Sequence, residues 1–323
     1  MSLPLLSITI PTYNRSGYLR DALQSIFIQV KDHPSLNEQI EVVIADNAST
    51  DNTEEVAREF EKKFSHFVYI KNKTNGGFDR NVDIVVRGAH GVYVWYLGDD
   101  DVIVNGALEH MLDVMTEDTY SVISVTDRPL KTRPYSSTGV TTYSKENHIS
   151  GLSPDECYIQ GHLPSALSML AFKRDEWLSV ADFENHTPGW FYFETILRMA
   201  IKKDSAVLHI AKPMIETGQD MRWADGGAGL KIFIDCNRFL HKMIAWGYAP
   251  SKIEAELRSN AMRFPYVLLQ SKVRGLPFTP HNWSLVRDFT ENTPFTIKLI
   301  SRFIYWLPNQ VVHTARCLKK KLT

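Results

Sequence analysis

The sequence predicts a doubly wound, mainly parallel α/β sheet with a helical C-terminal elaboration, and three observations carry that prediction. Short β-rich runs alternate with segments of helical periodicity through residue 125, the pattern of a parallel sheet covered by helices. The run Val92-Tyr93-Val94-Trp95-Tyr96-Leu97 ends abruptly in Gly98-Asp99-Asp100-Asp101. A buried strand thus surfaces in a cluster of carboxylates, where open α/β sheets place their ligand crevices. From Lys231 onward the chain reads as almost entirely helical, without repeats or a low-complexity linker.

Taken in order, Leu5 to Ile10 is a strand stopped by Pro11, and Ser16 to Gln29 carries Tyr18, Leu19, Ala22, Leu23, Ile26 and Phe27 at helical spacing. Ile40 to Ala45 is a second strand, followed by the polar turn Asp46-Asn47-Ala48-Ser49-Thr50-Asp51 and a helix on which Val56, Phe60 and Phe64 recur. Ser49 or Thr50 is placed to cap that helix, with Asp51, Glu54 and Glu55 favourable at its start. Phe67 to Lys71 is a third strand, Asn75-Gly76-Gly77 a turn, and Asp79 to Ala89 a third helix. Gly106 to Met115 is a fourth helix and Tyr120 to Val125 a strand. Arg128 to Gly151, rich in Ser, Thr, Pro, Lys and Arg, reads as a long surface excursion. Beyond it come a strand at Leu167 to Phe172, helices at Asp175 to Val180 and Trp190 to Ile201, and a strand at Ala206 to Ile210.

Composition narrows the function classes. The 323 residues carry a net charge of −1, with 44% hydrophobic and 23% charged residues, an ordinary globular composition that argues against a general nucleic-acid binder. Cys157, Cys236 and Cys317 are odd in number and far apart, which supports neither a disulfide framework nor a zinc site. Histidines 162, 186 and 209 are scattered and read as loop or packing residues. The chain opens without a basic, long apolar leader, and no apolar run reaches the roughly 20 residues of a membrane span. The expected location is the cytoplasm.

Four loops fall at the C-terminal ends of successive strands: Pro11 to Asn14, Asp46 to Asp51, Asn75 to Asn81, and Gly98 to Asp101. A parallel sheet brings them to one edge, where an aromatic ring, amides, an arginine and carboxylates suit a nucleoside diphosphate. Tyr13 is placed to stack on a base, Asp46 or Asn47 to hydrogen-bond it, and Arg80 to reach base or phosphates. Adjacent carboxylates repel, so Asp99, Asp100 and Asp101 make most sense around Mg²⁺ or Mn²⁺, which bridges carboxylates to phosphates. The competing reading is a solvated acidic turn before a helix.

These same residues carry a resemblance. Ile8-Thr9-Ile10-Pro11-Thr12-Tyr13-Asn14-Arg15, Val43 to Asp51, Asn75-Gly76-Gly77 with Arg80-Asn81, and Leu97 to Asp101 resemble the motifs of nucleotide-sugar-dependent family 2 glycosyltransferases of the Rossmann-like GT-A fold. The resemblance is strong over residues 5 to 125 and fades beyond them. It implies nucleoside contacts at Pro11, Tyr13, Asp46, Asn47 and Arg80, a ribose contact at Asp99, and metal ligands at Asp100 and Asp101. Gly98 stands where many members have an Asp, and Asn47 where a second Asp is frequent. The implied organisation is a transferase domain over residues 1 to 230, with its nucleotide-binding half at 1 to 125 and its acceptor half at 126 to 230. A helical elaboration over residues 231 to 323 packs on it.

An inverting transfer needs a base for the acceptor hydroxyl. The family's Glu-Asp pair is missing from Gly189 to Arg198, where Glu194 is the sole carboxylate. Glu194 is therefore the first candidate, with Glu184 and Asp182 as alternatives, against an i,i+4 pairing of Glu194 with Arg198. Gln219-Asp220-Met221-Arg222-Trp223 matches a signature of processive polysaccharide synthases, and Asp225 to Gly229 is a flexible turn. The last 30 residues hold Lys298, Arg302, Arg316, Lys319, Lys320 and Lys321 and no acid, beside an apolar face of Phe295, Leu299, Ile300, Phe303, Ile304, Trp306 and Leu307. That end suits an anionic membrane surface or, alternatively, docking on the core. The implied activity moves a sugar from a nucleotide donor to a saccharide or lipid-linked acceptor in O-antigen or capsule synthesis. A nucleotidyltransferase and a non-catalytic nucleotide- or carbohydrate-binding protein are the alternatives.

Overall fold

The structure, a computed structural model, describes residues 3–117, 120–131, 133–135, 140–218 and 228–311. The Gln219 to Trp223 motif, most of the Asp225 to Gly229 turn, Cys317 and the basic residues from Arg316 onward lie outside the described residues. Two compact units divide the chain, Met1–Gln219 and Asp220–Thr323.

In the first unit β1 (Leu6–Thr12), α1 (Ser16–Val30), α2 (Pro34–Asn37), β2 (Ile40–Asp46), α3 (Thr53–Glu61), β3 (His66–Lys71), α4 (Phe78–Arg87) and β4 (Tyr93–Tyr96) follow the expected alternation. They continue into β5 (Val102–Ile103), α5 (Ala107–Thr116), β6 (Val122–Pro129), β7 (His148–Ile149), α6 (Pro154–Ile159), β8 (Leu170–Lys173), α7 (Arg174–Val180), α8 (Phe191–Ala200) and β9 (Val207–Thr217). Among the described residues the strand order is β3-β2-β1-β4-β8-β6-β9-β5, with β7 beside β9. β1 is parallel to both β2 and β4, and β2 to β3, whereas β8 runs antiparallel to β4 and β6.

Alternation explains the layers. Ile8, Ile10, Val42 and Ile44 are buried with Leu19, Leu23 and Ile26 of α1 and Val56 and Phe60 of α3, and Val82, Val85 and Val86 of α4 are buried as well. The strand β1 runs through Pro11 to Thr12. The missing amide of proline is tolerated because β4 leaves the β1 ladder at Thr9–Tyr96, so one neighbour remains beside Pro11. Neither Ser49 nor Thr50 caps α3, whose N-cap is Asn52. Asp51 instead accepts the Thr53 amide at 3.1 Å, and Ser49 turns toward the Asn14 amide at 2.8 Å.

The second unit holds α9 (Ala228–Trp246), α10 (Pro250–Val273), α11 (Pro280–Thr290) and α12 (Phe295–Trp306) around Leu230, Ile234, Phe264, Leu268, Leu276, Val286 and Tyr305. The α12 helix is apolar on both sides. Ile297, Ser301 and Tyr305 are buried, while Phe295, Leu299, Phe303 and Trp306 are 53–76% exposed. Among the described residues no helix is long and apolar enough to cross a membrane.

Candidate active site

The loops at the ends of β1, β2 and β3 are joined by amide side chains. Thr12 lies opposite Asp46 in the ladder, and the Asn47 amide donates to the Thr12 carbonyl at 2.9 Å. Asn47 Nδ2 donates to Asn75 Oδ1 at 2.8 Å and to the Gly77 carbonyl at 3.2 Å, while its Oδ1 accepts from the Gly76 amide and Asn72. Asn81, 3% exposed, donates to the Ala45 carbonyl at 2.8 Å and accepts from Asn72. Asn14 and Ala48 take the left-handed conformation, at φ 52° and 65°. The Asn14 side chain repays this locally by accepting the Thr50 amide at 2.7 Å.

This geometry sorts the expected nucleoside contacts. Tyr13 is 44% exposed and the Arg80 side chain 52% exposed, so both face solvent at the sheet edge. Arg80 pairs with Asp83 at 3.2 Å and lies 5.2 Å over the Phe183 ring. Pro11 is buried within β1. Asp46 is fully buried and accepts the Ser49 amide at 2.8 Å and the Tyr69 hydroxyl at 2.6 Å. Burial and that carboxylate push the Tyr69 phenol far above its ordinary range. Asp46 and Asn47 therefore hold the loops together with groups a ligand would otherwise use.

The carboxylates after β4 differ in surroundings. Asp99 is 6% exposed, accepts the Thr12 hydroxyl at 2.8 Å and pairs with Arg15 at 3.0 Å. Burial pushes its carboxyl up to about 6 against the opposing pull of Arg15 and Thr12, with Asp100 adding to the rise. Asp101 accepts the Ser168 hydroxyl at 2.5 Å and the Gly218 amide at 2.8 Å, so both its oxygens are engaged inward. Burial and the Asp100 charge also push Asp101 up to about 6. Asp100 is more open than Asp99, its side chain 20% exposed against 8%, and lies 3.4 Å from Arg15. Gly218 is confined from the other side, because a Cβ there would lie 2.5 Å from the Asp100 carbonyl oxygen.

Among the described residues no three His, Cys, Asp or Glu side chains form a metal cage. The donor set nevertheless fits a divalent cation shared with a diphosphate. Carboxylates held toward the protonated form by burial, and further by a neighbouring acid's charge, are groups that a hard cation relieves, and Mg²⁺-type ions use one or two carboxylates plus phosphate oxygens.

Beyond the carboxylate turn, Glu194 is 2% exposed in the first turn of α8 and accepts the Thr187 amide at 3.2 Å. Arg198 reaches Asp182 at 3.2 Å. Glu184 is exposed. Sequence reasoning missed four contributors. Arg15 lies inside the Ile8 to Arg15 motif, which carries its signal, and Asp79 reads from sequence only as a helix start. Ser168, which also accepts the Gly98 amide at 2.7 Å, carries no local signal. His186, which reads from sequence as a loop or packing residue, lies 3.1 Å from Asp79.

Comparison with known proteins agrees with this architecture. The model of "Glycosyl transferase family 2" matches residues 7–162. Abequosyltransferase RfbV of Salmonella typhimurium is 31% identical over 258 residues, 73% of this chain and 73% of that protein. The putative teichuronic acid biosynthesis glycosyltransferase TuaG of Bacillus subtilis is 33% identical over 116 residues, 35% of this chain and 43% of TuaG. Among solved structures, Staphylococcus aureus TarS 1–349 in complex with UDP-GlcNAc superposes with a TM-score of 0.62 at 15% identity, covering 95% of this chain and 88% of that one. Mannosyltransferase PcManGT from Pyrobaculum calidifontis, in complex with GDP-Man and Mn²⁺, gives 0.56 at 16% identity, covering 99% and 89%. The fold is thus GT-A, and with a relative this similar over most of both chains, the protein belongs to glycosyl transferase family 2 and is a glycosyltransferase.

Proposed function

We propose that this glycosyltransferase moves a sugar from a nucleoside diphosphate sugar to a hydroxyl of a saccharide or lipid-linked saccharide, with inversion, in assembly of a bacterial surface polysaccharide such as O-antigen or capsule. The observation that carries the reading is the link between Asp99 and both Thr12 and Arg15, which joins the carboxylate turn to the loop bearing Tyr13. Tyr13 offers its ring to the base, Arg80 reaches base or phosphates, and Asp99 faces the ribose. Pro11, Asp46 and Asn47 shape this edge from beneath. Asp100, and behind it Asp101, would hold Mn²⁺ or Mg²⁺. When bound, such an ion neutralises charge on the departing diphosphate.

Glu194 takes the acceptor proton in this scheme. Of the alternatives, Asp182 is a weaker base, because Asn185 and Arg198 outweigh burial and hold its carboxyl below the usual range. Glu184 lies open to water. Calorimetry with UDP, GDP, CDP and TDP in the presence of Mn²⁺ tests the donor site. One of them binds, and Asp100→Ala weakens that binding by roughly 100-fold or more while the fold persists, since a surfaced turn supports little of the core. Failure of all four to bind wild-type protein overturns the reading.

The cytoplasm is the proposed location, with a peripheral membrane contact supported by the exposed side of α12. Phe295, Leu299, Phe303 and Trp306 project there, and the acid-free sequence after Pro294 adds positive charge. Lys298 and Arg302 both also pair with Glu291, at 3.3 Å each. The protein co-sediments with anionic vesicles at low salt and not with neutral ones, and Phe303→Ser with Trp306→Ser abolishes the difference. Retention of the protein in the supernatant discards the contact.

A further inference from the structure

Helix α8 carries Glu194 yet lacks a cap of its own, since Trp190 at its N-cap makes no side-chain hydrogen bond to it. The first amides of a helix need an acceptor. Here the acceptor comes from α4: Asp79 Oδ1 accepts the Phe191 amide at 3.2 Å, and Oδ2 accepts the Gly189 amide at 2.6 Å and faces His186 Nε2 at 3.1 Å. The Gly189 backbone, at φ 88°, reaches this arrangement without strain. A carboxylate at a helix N-terminus is also favoured by the helix dipole. The carboxylate is sheltered, with side-chain exposures of 13% for Asp79 and 15% for His186.

The neighbours of Asp79 grip the same segment. Phe78 meets the Tyr192 ring edge-on at 5.8 Å, and Arg80 lies over Phe183. Inside the clamped stretch, between His186 and Gly189, the Thr187 amide donates to Glu194. Three consecutive residues of α4 therefore fix the stretch that orients Glu194, and one of the three is Arg80 of the donor side.

We infer that Asp79 is a positioning residue that locks the acceptor-side segment 183–192 to the donor-side start of α4. The inference rests on the reading of Arg80 and Glu194 given above. Losing this lock misplaces the acceptor-side groups relative to the donor, and misplacement of about 1 Å costs roughly 100-fold in rate.

The test measures three things in wild-type, Asp79→Asn, Asp79→Ala and His186→Gln proteins: amide hydrogen exchange over residues 183–192, nucleoside diphosphate affinity with Mn²⁺, and Mn²⁺-dependent donor hydrolysis. In Asp79→Ala the 186–191 amides exchange about tenfold faster or more, hydrolysis turnover falls by roughly 100-fold, and nucleotide affinity stays within about threefold. Asp79→Asn, whose remaining oxygen still receives the Phe191 amide, falls between Ala and wild type. His186→Gln departs least. Faster exchange with unchanged turnover, or nucleotide affinity lost in proportion to turnover, overturns the inference. If Asp79→Ala fails to fold, the Asp79→Asn and His186→Gln pair decides by the same criteria. If wild-type protein binds none of the nucleotides, the donor reading fails, and unchanged exchange in the Asp79 variants is then the result that separately overturns the lock.

Discussion

At the ends of β1 and β2 the polar side chains answer one another, whereas in the turn after β4 three consecutive carboxylates crowd together beside the Arg15 cation. Asn47 and Asn81 engage both their donors and their acceptors with neighbouring loops. Asp99 is buried and Asp101 partly so beside Asp100, and both are pushed up to about 6. Amides that satisfy each other make a rigid frame and have little left for a ligand. Buried acids with a repelled neighbour hold unfavourable charge that a ligand or a proton can relieve. Under the proposed function the amides form the frame and the acids carry the chemistry, with Glu194, buried but acidic, at the boundary between the two.

Glu194→Gln therefore breaks or sharpens the distinction with the largest effect. Gln keeps an oxygen for the Thr187 amide, so the frame survives, but it cannot take a proton. Turnover falls by roughly 1,000-fold or more while nucleotide affinity is retained, because proton transfer alone contributes about 10²–10⁴. Steady-state kinetics of donor consumption with acceptor present measures it. Unchanged turnover, with a large loss in Glu184→Gln or Asp182→Asn, moves Glu194 into the frame and reassigns the base.

A smaller effect follows from the carboxylate turn itself. For an acid whose folded pKa, about 6 for Asp99 and Asp101, lies above the ordinary 3.8, the folded state binds more protons between those values. Stability from these groups is then fully present below about 4 and is lost as pH rises through 6. Urea unfolding of metal-free protein between pH 4 and 8 shows that loss as a difference from Asp101→Asn, whose profile is flatter across the window. At pH 7.5, Mn²⁺ with a bound nucleotide raises stability, as any ligand of the native state does. Identical profiles for the two proteins mean that the turn carries no such charge burden.

Most of the alternation from β1 to α5 was legible because its principal strands and helices are long enough for their periodicity to register. The four-residue α2 and the two-residue β5 and β7 are not. The last strand ran on past Ile210 to Thr217, where register shifts between Val125 and Asp127 of its partner interrupt the ladder and Lys212-Pro213 interrupts the apolar pattern. In the site, the positions of Tyr13, Arg80 and the three aspartates followed from their loops. The partners of Asp46 and Asn47 did not, because Tyr69, Asn75 and Gly76 reach them from 23 to 29 residues away. Asp79 was illegible for another reason: its partners lie 107 to 112 residues away, in a stretch without periodicity.

The frame also contains a point of strain, and it offers the smallest of these tests. Ala48 holds φ 65° between buried Asn47 and Ser49, with its amide on the Asp46 carbonyl at 2.9 Å. A left-handed residue with a Cβ costs about 1–2 kcal/mol, and unlike Asn14 it has no side-chain acceptor to offset that cost. Glycine removes the clash but adds unfolded-state freedom of about 0.4–1 kcal/mol. Ala48→Gly is thus neutral or stabilising by up to about 1 kcal/mol in urea unfolding. Nucleotide affinity stays within about twofold, because the loop is already fixed by its hydrogen bonds. A tenfold loss of affinity without loss of stability would show that the strained turn itself faces the ligand, and the division between frame and chemistry would then have to be redrawn at Ala48.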